Sequence, residues 1–69
     1  MEELIFDKII DGASLMNVLV DADDRVGSIR DDKGKIYSCF PIDKTKNYQV
    51  KKYRALQPYA VTNYEIQVI

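Results

Sequence analysis

Sixty-nine residues, 46% hydrophobic and 30% charged with a net charge of −1, make one folded domain and exclude a disordered tail or a second core. Histidine is absent and Cys39 is the only cysteine. That excludes an intrachain disulfide, a Cys/His zinc site and any nucleophilic triad built on histidine.

A chain this short buries only roughly 60% of the surface its unfolded form exposes. With metals and disulfides removed, docking to a partner protein or to a second copy is the remaining external support.

Residues 2–10 carry two periods at once. Leu4, Phe6 and Ile10 fit a strand, with Lys8 as the exception. Leu4, Ile5 and Ile9 fit one face of a short helix whose N-terminus Glu2 and Glu3 would favour. Strand is the preferred reading, ended by Asp11-Gly12. Residues 14–21 set Met16, Val18 and Val20 against Leu15, Asn17 and Leu19. Both sides are largely apolar, which predicts a central strand or one covered by another layer. Asp21, Asp23 and Asp24 then supply turn chemistry, since aspartate side chains accept hydrogen bonds from nearby amides.

The clearest unit is a hairpin. Residues 26–30 and 35–40 flank Asp31-Asp32-Lys33-Gly34, and Gly34 suits the left-handed position of such a turn. In this alternation Cys39 reads as a small buried side chain. Pro41 stops the second strand, and residues 42–47 read as a polar loop. Residues 48–56 predict a strand with Tyr48 and Val50 on one face and Tyr53 and Ala55 on the other. A helix stays open here, because Gln49, Val50, Tyr53 and Leu56 form a partial stripe. Pro58 breaks either one. Residues 64–68 alternate cleanly as a strand, with residues 59–61 pairing with it or extending it. The sum is a mainly β domain: a small antiparallel barrel or curled sheet of about five strands, SH3-like or OB-like in size, with room for one short helix.

Chemistry-bearing patterns are few. The three glycines stand too far apart for a phosphate-binding loop. The aspartate clusters lack the spacing of a calcium loop, so Asp21, Asp23, Asp24, Asp31 and Asp32 read first as turn formers. If their turns meet at one end, they make an acidic patch for a basic groove on a partner protein. Residues 44–59 interleave cations and rings: Lys44, Lys46, Tyr48, Lys51, Lys52, Tyr53, Arg54 and Tyr59. Single-strand nucleic-acid binders use that combination, and tyrosine is equally an anchor at protein interfaces. The first 32 residues sum to −6 and the remainder to +5. The two halves therefore either form opposite fields or interleave and cancel.

The sequence thus leads to a non-catalytic protein-binding module, an inhibitor or adaptor docking on a larger enzyme or complex, of the genre encoded by phages and mobile elements. No catalytic, cofactor-binding or metal-binding residues are expected. The alternative is a small barrel that binds single-stranded DNA or RNA through residues 44–59. No apolar run reaches the length of a membrane span, and an unpaired thiol fits a reducing cytoplasm.

Overall fold

The computed structural model of the chain describes residues 2–20, 26–56 and 60–69. In chain order the elements are β1 (Glu2–Asp11), α1 (Gly12–Val20), β2 (Val26–Arg30), β3 (Ile36–Tyr37), β4 (Asn47–Ala55) and β5 (Val61–Val68). They build one open five-stranded sheet in the order β1-β4-β5-β2-β3. The β1–β4, β4–β5 and β2–β3 pairs are antiparallel, whereas β2 runs parallel to β5. A mainly β domain with a short helix is thus what forms, but the sheet is mixed and does not close. The parallel pair follows from α1. A helix between β1 and β2 carries the chain over the sheet, so β2 can enter in the direction of β1 and β5.

The helix is the main departure from the sequence reading, which places a strand at residues 14–21. Leu15 and Leu19 fall four residues apart on one helical face, where both pack on the core. Asp11 caps the N-terminus, its carboxylate accepting a hydrogen bond from the Ser14 amide at 3.2 Å. Gly12 is buried, and its N–H donates to the Lys46 carbonyl at 2.8 Å. A Cβ on Gly12 would collide with the Asp43 carbonyl, so the helix starts against residues 43–46 only because this position is glycine.

The hairpin forms as its turn residues dictate. Gly34 has φ 86°, its amide donates to the Asp31 carbonyl at 3.1 Å, and the Asp31 amide donates to the Lys35 carbonyl at 3.0 Å. The second strand is shorter than the alternation suggests. It ends at Tyr37, and the chain bends at Ser38 and Cys39. Cys39 is consequently exposed, not buried.

Strand β4 lies between β1 and β5 and sorts its residues by parity. Tyr48 and Val50 are buried under α1 with Ile10, Leu15, Tyr64 and Ile66. Phe6, Leu19, Ile29, Phe40 and Ile42 pack around them. Lys51 and Tyr53 fall on the other, open face. One irregularity in β1, between Leu4 and Phe6, shifts the register. Leu4 therefore lies across from Tyr53 on the open face, while Phe6 and Ile10 turn to the core.

Candidate interaction surfaces

Three segments distant in sequence meet at one end of the sheet: the β2–β3 turn, residues 40–46 and the end of β5. They enclose a groove of about 500 Å³. Its floor is apolar and aromatic, made by Phe40, Pro41, Tyr48, Ile66 and Val68, and its rim is charged with both signs, by Asp31, Asp32, Lys33, Asp43 and Lys46. Phe40 stands edge-on to both Tyr37 and Tyr48, with ring centroids 4.9 and 6.5 Å apart. These edge-to-face contacts join Tyr37, Phe40 and Tyr48 into one aromatic cluster.

The rim is pre-set by hydrogen bonds. Asp31 accepts from the Lys33 and Lys35 amides, each at 2.9 Å, and from the Tyr37 hydroxyl at 3.0 Å. Partial desolvation pushes the Asp31 pKa up, but these donors together outweigh it and hold the carboxyl below its usual range. The same bond raises the Tyr37 phenol above its ordinary value. Asp43 accepts from the Thr45 hydroxyl and amide, which keep it below the usual range as well. Its own amide donates to the Tyr48 hydroxyl at 2.7 Å, tying the rim to the floor. Asp31 and Asp43 therefore stay anionic at neutral pH, each held in place by its hydrogen bonds.

A second hollow of about 270 Å³ lies on the far side of Phe40, lined by Met16, Leu19, Ile29, Cys39 and Ile42 among others. None of its described lining residues is charged. The open face of the sheet is occupied by a polar network instead. Arg30 lies 3.6 Å from Glu2 and 3.8 Å from Glu65, and Lys51 lies 3.6 Å from Glu65. Asn63 donates to Glu2 at 2.7 Å and accepts from Ser28 at 3.0 Å.

Of the residues singled out in the sequence, Asp31, Asp32, Lys46 and Tyr48 come together at the groove. Lys44 is exposed in the adjoining turn. Lys51 and Tyr53 belong to the open face, where Lys51 is ion-paired and Tyr53 sits under the Arg30 guanidinium at 5.4 Å. Lys52 and Arg54 are on the opposite face, with the Lys52 amine 5.8 Å from the Phe6 ring centroid. Residues 44–59 thus do not present one continuous surface. Asp21, Asp23, Asp24 and Tyr59 lie outside the described residues. The residues that sequence reasoning missed are Phe40, Asp43, Ile66 and Val68, which acquire a shared role only once the three segments meet. Among the described residues, no three His, Cys, Asp or Glu side chains are placed to hold a metal ion. Likewise, none of the described helices is long and apolar enough to cross a membrane.

Comparison of the chain with protein-family models, with curated proteins and with solved structures finds no match.

Proposed function

We propose that the domain is a non-catalytic protein-binding module, an inhibitor or adaptor, that seats a partner's side chain in the groove at the end of the sheet. The supporting observation is the groove itself, an apolar aromatic floor inside a rim of fixed charges of both signs. Apolar floors supply desolvation energy, and polar rims set orientation and register, the division of labour found in protein interfaces. An arginine or lysine of the partner suits it best, its stem on Phe40 and Val68 and its charge beside Asp31 and Asp43.

The nucleic-acid reading has weaker support, since β4 divides its cations between two faces and Glu65 already neutralises Lys51. A pull-down from source-cell lysate, with nuclease-treated and untreated arms, separates the two. The domain should capture a protein stoichiometrically in both arms, and Val68→Lys, at an exposed position on the floor, should abolish capture. Loss of the captured material on nuclease treatment would instead support the nucleic-acid reading. Capture unaffected by Val68→Lys would remove the groove from the proposal.

A further inference from the structure

The two edges of the sheet differ in length. Strand β3 offers two residues, whereas β1 offers ten and is paired on one side only, with β4. Among the described elements only β4 and α1 pack along β1, and Glu2 at its start reaches over the open face to Arg30 and Asn63. Its outer backbone therefore presents a row of N–H and C=O groups open to another strand. Leu4, Ile5 and Ile9 are exposed along this edge, Ile9 by 67%. Apolar side chains beside an unpaired edge are what strand addition uses for specificity.

We infer that residues 6–11 of β1 accept an extended segment of a partner protein as a sixth, antiparallel strand. The surface is distinct from the groove and its occupation does not depend on the groove reading. The charges along the edge define the occupant. On the open face Asp7, Ile9 and Asp11 alternate; on the other face Lys8 stands between Phe6 and Ile10. Among the described residues, neither Asp7 nor Asp11 lies within ion-pair distance of a cation. Asp7 accepts from the Gln49 amide at 3.0 Å and Asp11 from the Ser14 amide at 3.2 Å, and neither donor carries charge. A complementary strand places basic residues opposite Asp7 and Asp11, an apolar one opposite Ile9 and an acidic one opposite Lys8.

A second copy of the chain fails the same criterion. A symmetric antiparallel pairing centred on Asp7 sets Asp7 against itself, one centred on Lys8 sets Lys8 against itself, and one centred on Ile9 sets Asp7 against Asp11. Like charges directly opposite each other are destabilising in all three. Registers centred on Phe6 or Ile10 avoid them only by setting Asp7 against Ile5 or Asp11 against Ile9, with no cation opposite either aspartate.

The test uses the whole isotope-labelled domain and a backbone-cyclised hairpin peptide whose outer strand reads Lys-Val-Val-Glu-Lys-Val. A control hairpin has every charge reversed. Amide resonances of residues 6–11 should shift on titration with the first peptide, and the control should bind more than tenfold more weakly. Ile9→Lys, at an exposed position, should abolish the shifts while leaving the circular-dichroism spectrum unchanged. Val68→Lys in the groove should leave them intact, so failure of one surface does not mask the other. Equal binding of both hairpins, or shifts confined to the groove, would overturn the inference. So would sedimentation of the free domain as a dimer that Ile9→Lys dissociates, because a second copy would then hold the edge.

Discussion

At Gly34 the backbone stands at φ 86° with nothing within 4 Å of where a Cβ would be, so substitution there tests backbone strain alone. Valine, β-branched and strained at positive φ, should lower stability by more than about 1 kcal/mol, and asparagine should be better tolerated. An unchanged urea midpoint for Gly34→Val would show that the turn is not built this way. The two buried tyrosines make a second contrast. Tyr48 accepts a hydrogen bond from the Asp43 amide, whereas the hydroxyl of Tyr64, fully buried, has no hydrogen-bond partner among the described residues. Tyr48→Phe should cost about 1 kcal/mol, since it orphans the amide. Tyr64→Phe should be neutral or stabilising by a similar amount, because it removes a desolvated group. Equal losses at both positions, by denaturant melts, would mean that Tyr64 is satisfied.

The elements depend on their caps and turns, and those are acidic. Hydrogen bonding from the Ser14 hydroxyl and amide holds the Asp11 carboxyl below the usual aspartate range, as donors do for Asp31 and Asp43. A carboxyl with a depressed folded-state pKa contributes fully above its unfolded value and loses that contribution as pH falls through the folded one. The melting temperature should therefore fall once pH drops below about 3.8, taking that unfolded value from the carboxyl reference. Tyr37, raised above 10.0, works in the opposite direction, its contribution lost as pH climbs through the raised value. With no histidine in the chain, no imidazole titration adds to the curve between these limits. Asp11→Asn should flatten the acid limb, and an unaltered limb would remove the cap from the explanation. Helix α1 also explains what the sequence concealed. Over nine residues its apolar positions satisfy both a two-residue and a 3.6-residue period, and Val18 and Val20 favour the strand reading by propensity. The deciding signals were Asp11 and Ser14, three residues apart at a cap, and a small buried residue at Gly12. The hairpin was legible because Gly34 fixes a turn with little help from tertiary structure. The length of β3 was not, because its end is set where the chain must bend towards the core at Phe40. The groove was legible only in part, since Asp31, Asp32, Lys46 and Tyr48 stood out while the rest of the floor, Phe40, Pro41, Ile66 and Val68, joins them only through the fold.

Across the molecule, the described residues of the acidic first half and basic second half do not separate into two fields. Basic β4 lies between acidic β1 and β5, and Arg30 of the first half pairs with Glu65 of the second. The core that supports this arrangement is small. Leu15 is fully buried at the contact between helix and sheet, and truncating such a leucine costs about 2–5 kcal/mol. A domain of this size has only about 3–5 kcal/mol from its core. Leu15→Ala should therefore leave a largely unfolded chain at room temperature, visible as lost dispersion in an amide spectrum. A native spectrum would mean that stability comes from elsewhere than the α1 contact.

Interleaved charge also governs what the domain can attract. Strong nucleic-acid binding needs several cations on one surface, each releasing a counterion as it meets a phosphate. Here Lys51 faces one side of the sheet with its charge held by Glu65, while Lys52 and Arg54 face the other, and the chain-wide charge is −1. A single-stranded oligothymidylate should therefore bind more weakly than the micromolar range, even at low salt. Lys51→Gln should change that affinity little, because no phosphate depends on it. Fluorescence anisotropy at two salt concentrations measures both quantities. Micromolar or tighter binding that falls steeply with salt would require a cationic track the sheet does not display, and would put single-stranded nucleic acid ahead of a protein as the ligand.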